Sequence, residues 1–190
     1  MTQSADANGH RDRLIAIIKE RSFQVGQEVK LASGRASSYY FNMKPTMLDP
    51  EGSYLIGRLM LNALAAEKVD LIGGLEMGAV PLATAVATVS HTMDRPLPAF
   101  FVRKAAKEHG TQALIEGLPN GETIAGKRVA VVEDVTTTGG SALKAVEQIK
   151  AAGAEVVQVI TIVDRLEGAQ DAFTQAGLPF SALLTVDDFR

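Results

Sequence analysis

The sequence contains no cysteine and no tryptophan, and only 5% of its 190 residues are aromatic. Without cysteine, the chain has no disulfide, thiolate metal site, iron–sulfur cluster or cysteine nucleophile. The scarcity of aromatic residues argues against a binder of single-stranded nucleic acid, because such proteins stack bases on aromatic side chains. A formal net charge of −3 also disfavours duplex DNA and anionic membranes as partners, since both attract basic surfaces.

The chain also lacks a long apolar stretch. No segment reaches the roughly 18 apolar residues that a transmembrane helix needs, and residues 1–13 lack the apolar core of a secretion signal. Hydrophobic residues make up 46% of the chain and charged residues 22%, as in ordinary globular proteins. Because a domain averages about 150 residues, we expect one cytoplasmic domain spanning residues 1–190, with no nucleic-acid or membrane partner.

Short apolar runs alternate with helical patterns after residue 50. The five runs are 69–75, 97–102, 128–132, 156–163 and 180–186. They predict an α/β fold with a parallel five-stranded sheet and helices on both faces. Residues 1–45 combine an amphipathic helix with short extended runs and predict a small N-terminal hood. Ligands of such sheets bind beyond the carboxyl ends of the strands, which here carry the loops 73–79, 103–117, 134–141 and 164–168.

Residues 128–141 are the most informative segment, with the sequence RVAVVEDVTTTGGS. A buried strand ends in two carboxylates, Glu133 and Asp134, and a loop of hydroxyls and glycines leads into a helix. Glycines and a helix N-terminus offer backbone N–H groups to an anion, whereas the carboxylates suit ribose hydroxyls or a divalent ion carried by the ligand. The segment therefore predicts a sugar-phosphate site. The alternative is an ordinary loop whose threonines cap the helix.

Residues 133–141 closely resemble the loop with which type I phosphoribosyltransferases bind 5-phosphoribosyl 1-diphosphate (PRPP). Four further segments resemble the orotate-specific group of that family in order and spacing: 31–41, 73–81, 101–110 and 163–165. The resemblance implies transfer of ribose 5-phosphate from PRPP to orotate in pyrimidine synthesis, giving orotidine 5′-phosphate and pyrophosphate. It also implies that Mg²⁺ arrives bound to PRPP, with no direct metal site on the protein.

The same resemblance implies roles for individual residues. The PRPP-binding residues are expected to be Arg103, Lys104, Lys107, His109, Glu133, Asp134, Val135, Thr136, Thr137, Thr138, Gly139, Gly140 and Ser141. Among them, Lys104, Lys107 and Asp134 are expected to be catalytic. Thr137 and Arg165 are expected to bind orotate.

The cations of residues 103–109 suit the departure of pyrophosphate. Breaking the bond between C1 and oxygen leaves a cationic sugar and a polyanion, and positive groups that meet the developing charge lower the barrier. Such a segment suits a mobile lid. The resemblance implies that it reaches the neighbouring subunit's site, and hence a homodimer. The alternative is a solvated charged loop.

Orotate is a flat anion that favours a guanidinium for its carboxylate. Arg165 follows a strand and is placed for this contact, although an ion pair of Arg165 with Asp164 or Glu167 at the surface is an alternative. Tyr40 and Phe41 are expected either to wall the base pocket or to pack the N-terminal hood.

Some positions depart from the family pattern. Ala32 stands where many members have lysine, and Met77 and Gly78 stand where some have tyrosine and lysine. Residues 121–128 nearly match a P-loop, but Arg128 replaces the hydroxyl and the segment precedes a strand. Two other functions remain open: a phosphoribosyltransferase for a purine or another base, which Arg165 disfavours, and a PRPP-sensing regulator, which the intact 103–109 segment disfavours.

Overall fold

A computed structural model of the chain describes residues 2–30, 36–105 and 114–190. The strands are β1 (Phe23–Lys30), β2 (Ala36–Phe41), β3 (Leu71–Gly73), β4 (Phe101–Val102), β5 (Ile115–Glu116), β6 (Arg128–Thr136), β7 (Glu155–Asp164) and β8 (Phe180–Thr185). The helices are α1 (Thr2–Arg21), α2 (Lys44–Met47), α3 (Pro50–Ala63), α4 (Ala79–Thr92), α5 (Gly140–Ala151) and α6 (Ala169–Gln175), and a 3₁₀ helix covers Val186–Phe189. None of the helices in these ranges is long and apolar enough to cross a membrane.

The central sheet has four strands in the order β3-β6-β7-β8, and every neighbouring pair is parallel. Alternate residues of β6 face opposite sides of this sheet. Ala130 and Val132 belong to the core cluster shared with α3 and α4, whereas Val129 and Val131 belong to the cluster shared with α5 and α6. Both faces are therefore covered by helices, which confirms the predicted α/β architecture.

The fifth predicted strand, residues 97–102, is only partly regular. It runs beside β3 through two isolated parallel bridges, Ile72 with Ala99 and Leu75 with Val102. Pro98 lies inside this segment: its carbonyl accepts from the N–H of Ile72 at 3.0 Å, but it has no N–H of its own to donate to a ladder. Only Phe101–Val102 forms a strand, and it pairs antiparallel with β5. The sheet therefore has four regular strands instead of the five we predicted.

The N-terminal hood consists of α1 and an antiparallel hairpin of β1 and β2. The buried side chains of α1, Leu14, Ile17 and Ile18, join the same core cluster as those of α3 and α4. Arg11 also donates to the Asp188 carboxylate at 2.7 Å, which ties α1 to the C-terminal 3₁₀ helix. The hood thus lies against both the sheet-covering helices and the end of the chain.

Candidate active site

Three of the predicted loops meet at the carboxyl ends of the parallel strands. Between β3 and α4, a Cβ built on Gly78 would lie 3.1 Å from Asp134 Oδ1, so this turn passes directly over the end of β6. The turn is also bound to the chain after β4, because the backbone N–H of Lys104 donates to Glu76 Oε1 at 2.9 Å. The turn at 74–78, the acidic pair and Lys104 therefore form one site.

The loop after β6 carries the predicted phosphate cradle. Gly139 precedes α5 with a left-handed φ of +84°, and no side chain caps the helix there. The threonines therefore do not serve as the helix cap, contrary to the alternative interpretation. A small cavity of about 30 Å³ lies at this point. Its lining consists of Glu133, Val135, Thr136, Thr137, Gly139, Gly140, Ser141 and Ala142.

The residues of the cradle differ in what they offer a ligand. Thr136 is buried, and its Oγ1 has no hydrogen-bond partner among the described residues, which fits a hydroxyl that is satisfied by a ligand. Thr138 is exposed. The N–H of Val135 already donates to Asp134 Oδ1 at 2.9 Å, and its side chain packs against the core. The N–H groups in the first turn of α5, which begins at Gly140, have no partner within the helix and can bind an anion.

Glu133 is a buried carboxyl in the cradle wall, with 9% of its surface exposed. Burial, followed by the negative charge of Asp134, raises the pKa of Glu133 to about 8. The positive charge of Lys104 acts in the opposite direction. Burial therefore favours the protonated form of Glu133 in the free protein.

This pKa predicts that the protein loses stability as the pH rises. Between the ordinary value of 4.5 and about 8, the folded chain keeps a proton that the unfolded chain has released, so unfolding becomes easier with increasing pH. Glu133→Gln removes this titration. Because one pKa unit corresponds to about 1.4 kcal/mol, the variant should gain a few kcal/mol over the wild type between pH 5 and pH 8, measured by denaturant unfolding.

The matched control for this measurement is Glu155→Gln. Glu155 is 63% exposed and pairs with Arg128 at the amino end of β7, far from the cradle. Its substitution should shift stability by the same small amount at both pH values. If the free energies of unfolding of Glu133→Gln and the wild type differ by the same amount at every pH, the raised pKa of Glu133 is contradicted.

Basic residues line a second, larger cavity beside α5. This cavity, of about 450 Å³, is lined by Leu75, Arg103, Lys104, Leu114, Ser141, Lys144, Glu147 and Gln148. Ser141 lines both cavities, so Lys104 lies within reach of the cradle. The Arg103 guanidinium, expected to contact pyrophosphate, pairs with Glu116 of β5 at 3.2 Å. Lys107 and His109 lie outside the described residues.

Arg165 lies at the end of β7, next to the cradle strand. Its N–H donates to the Thr136 carbonyl at 2.9 Å, which fixes the start of this loop against β6. The side chain is only 3% exposed, and Nε donates to Glu167 Oε1 at 2.8 Å. The alternative ion pair with Glu167 is thus present, but it is partly buried instead of lying at the surface, since the Glu167 side chain is 19% exposed.

The aromatic residues near Arg165 were only partly predicted. Phe41 is buried in a cluster with Phe23 and Phe189, in agreement with the interpretation that it packs the hood. The ring that contacts Arg165 is Tyr39, whose centroid lies 4.4 Å from the guanidinium carbon. Tyr39 and Phe41 alternate along β2 and share one face, whereas Tyr40 lies on the other. This period of two was the signal in the sequence that could have identified Tyr39.

The donor set fits a magnesium ion that arrives with its ligand. Within residues 2–30, 36–105 and 114–190, no group of three or more His, Asp or Glu side chains could hold a metal ion by itself. Mg²⁺ is commonly bound by one or two carboxylates together with substrate phosphates. The adjacent carboxyls of Glu133 and Asp134 are donors of this kind.

Comparison with known proteins agrees with this site. Residues 48–173 match the phosphoribosyl transferase domain family. The chain is 61% identical over 179 residues to the orotate phosphoribosyltransferase of Bradyrhizobium diazoefficiens, which covers 94% of this chain and 95% of that protein. The chain belongs to the orotate phosphoribosyltransferase family. The family predicted from residues 133–141 and the four accompanying segments is thereby confirmed.

Solved structures of phosphoribosyltransferases have the same fold. The Mycobacterium tuberculosis H37Rv enzyme in complex with PRPP is similar with a TM-score of 0.77 and 40% identity, covering 94% of this chain and 98% of that chain. A phosphoribosyltransferase from Corynebacterium diphtheriae is similar with a TM-score of 0.82 and 37% identity, covering 95% and 98%. The type I phosphoribosyltransferase fold is therefore shared over nearly the whole chain.

Proposed function

We propose that this protein is an orotate phosphoribosyltransferase, which transfers ribose 5-phosphate from PRPP to N1 of orotate. The products are orotidine 5′-phosphate and pyrophosphate, and the reaction is a step of pyrimidine synthesis. The observation that carries the proposal is the backbone hydrogen bond of Arg165 to Thr136, at 2.9 Å. It joins a buried guanidinium, suited to an anionic base, to the cradle suited to a pentose phosphate.

Each part of PRPP has a matching group in the site. The 5′-phosphate lies in the cradle of residues 135–141, where N–H groups at the N-terminus of α5 bind it. Glu133 and Asp134 bind the ribose hydroxyls, and Asp134 stabilises the positive charge that develops at C1. Lys104 and Lys107, with Arg103 and His109, bind the pyrophosphate. Mg²⁺, when bound with PRPP, partly neutralises the charge of that pyrophosphate.

The reaction breaks one bond and forms another at C1. The bond between C1 and the pyrophosphate oxygen breaks, and its electron pair leaves with pyrophosphate. The N1 lone pair of the orotate dianion forms the new bond to C1, so no side chain has to remove a proton from N1. The protein acts by positioning the two substrates and by stabilising charge, which are large terms in group transfer.

Pyrophosphate release tests this proposal. The purified protein, with PRPP and Mg²⁺, should release pyrophosphate in the presence of orotate and should be inactive with adenine, hypoxanthine or uracil, because a neutral base offers no carboxylate to Arg165. Turnover with one of these neutral bases instead of orotate would identify a different phosphoribosyltransferase. PRPP binding without turnover on any base would identify the regulator.

We also infer that the protein is a homodimer, with the 103–109 segment contributing to the neighbouring site, as in the family that the sequence resembles. Exposed apolar side chains support an interface at the start of α3: Leu48 is 73% exposed and Tyr54 45%. They line a groove of about 440 Å³ that continues onto α4. Met77, in the turn before α4, is 66% exposed.

Sedimentation tests the dimer. The wild type should have about twice the 20.2 kDa mass of one chain, and Leu48→Glu should shift it toward the single-chain mass and lower turnover, because a charge is costly at an apolar contact. Val25→Glu, at an equally exposed position of the hairpin (72%), should do neither. A wild type that sediments as a single chain while fully active would contradict the inference.

A further inference from the structure

Arg165 is a buried cation in contact with the side chains of Glu167 and Tyr39. Only 3% of Arg165 is exposed, and a buried charge has to be paired to be tolerated. Its Nε donates to Glu167 Oε1 at 2.8 Å. Its guanidinium carbon lies 4.4 Å from the centroid of the Tyr39 ring, which is within the range of a cation–π contact. Glu167 thus contacts the Nε edge of the guanidinium, and Tyr39 contacts its face.

The Tyr39 ring is itself held in place by an aromatic cluster. It lies 5.9 Å from the ring of Phe41 in an edge-to-face arrangement and 6.1 Å from that of Phe23. Phe23 and Phe41 both contact Phe189, at 5.5 Å and 5.1 Å. The surface that supports Arg165 is therefore built jointly by the hood hairpin and the C-terminal 3₁₀ helix.

Glu167 is held by the shape of the turn after β7. The N–H of Leu166 donates to Asp164 Oδ1 at 2.9 Å, and Leu166 has a left-handed φ of +58°. Gly168, with a φ of +103°, is the N-cap of α6. This tight turn brings Glu167 back beside Arg165, only two residues away. The backbone of this turn therefore sets the position of the Glu167 carboxylate beside Nε of Arg165.

We propose that Glu167 and Tyr39 are positioning residues for base recognition, which set the affinity for an anionic base by holding the Arg165 guanidinium in one plane and one rotamer. The inference rests on the proposed function, in which Arg165 binds the carboxylate of orotate. A guanidinium that is already oriented loses little conformational freedom when it binds a carboxylate. Glu167 accepts from the Nε edge of the guanidinium at 2.8 Å, and this contact limits the plane that the guanidinium can adopt.

The kinetic constants of Glu167 variants test the edge contact. Glu167→Ala should raise the KM for orotate by about 10-fold, the scale of one hydrogen bond to a charged group, with kcat and the KM for PRPP within about 2-fold of the wild type. Glu167→Gln keeps an oxygen that accepts from Nε, so it should restore the KM for orotate to within about 3-fold. A role in folding alone would not produce this separation of the constants.

Tyr39 variants test the face contact. Tyr39→Phe keeps the ring and should leave the KM for orotate within about 2-fold, whereas Tyr39→Leu should raise it by about 3- to 10-fold, in line with the strength of a partly buried cation–π contact. Glu155→Ala is the control, because it removes a comparable ion pair, with Arg128 at 3.0 Å, at the opposite end of β7. It should leave all three constants unchanged.

The outcomes separate this inference from the proposed function. A wild type that does not turn over orotate refutes the function. An active wild type whose Glu167→Ala variant has an unchanged KM for orotate overturns the positioning role alone. The role is also overturned if kcat and both KM values change together in Glu167→Ala. It is overturned as well if Glu167→Gln raises the KM for orotate as much as Glu167→Ala does.

Discussion

Replacing Lys107 by alanine is expected to lower kcat by a factor of about 10²–10³, the usual effect of removing one group that stabilises transition-state charge. The KM for PRPP should change by less than about 3-fold, because the cradle and the two carboxylates, which bind PRPP before the reaction, remain in the variant. Lys107 is three residues from Lys104, so their Cα atoms are at most about 11 Å apart. Lys104 itself is bound to the turn over Asp134.

The anchoring of the flanking residues supports this expectation. The N–H of Arg103 donates to the Leu114 carbonyl at 2.7 Å, so Arg103 and Leu114, on either side of Lys107, lie together beside the site. The test measures kcat of Lys107→Ala by steady-state kinetics and its affinity for PRPP in a separate binding experiment. Lys150→Ala, at an exposed position in the last turn of α5, is the control. Unchanged turnover in Lys107→Ala would exclude a direct catalytic role.

The cradle could be predicted from the sequence because its chemistry is local. Two carboxylates, a valine, three threonines and two glycines follow one another directly, so the strand end, the loop and the helix start are fixed by neighbouring residues. The sequence also placed Arg165 beyond the next strand, because parallel strands end at the same edge of a sheet. Local patterns of this kind do not depend on how distant elements pack.

The partners of the site residues could not be predicted, because they come from distant parts of the chain. Tyr39 reaches Arg165 only because the hood hairpin lies against the end of β7. Glu116 pairs with Arg103 because β4 and β5 are antiparallel neighbours, and a two-residue strand leaves no periodic signal. In the irregular fifth strand, Pro98 offers only its carbonyl to the N–H of Ile72, and the pattern of apolar residues carries no sign of the missing N–H.

Substituting Gly139 by alanine is expected to raise the KM for PRPP by about 10- to 100-fold, which corresponds to the loss of one charge-assisted hydrogen bond in the cradle. Gly139 has a φ of +84°, and a Cβ there would lie 3.0 Å from Cζ of Phe173. Phe173 is fully buried and stacks on Phe180 at 4.7 Å, so the ring is held and the loop has to move instead.

Gly121 provides a closely matched control for this substitution. It has the same φ of +84°, but a Cβ there would meet no atom within 4 Å. Both alanine variants therefore bear the cost of a left-handed residue, about 1–2 kcal/mol, and should lose similar stability from that source in thermal unfolding. Only Gly139→Ala displaces N–H groups from the phosphate, so only it should raise the KM for PRPP. Equal KM values in the two variants would show that the backbone of residues 139–141 does not bind the phosphate.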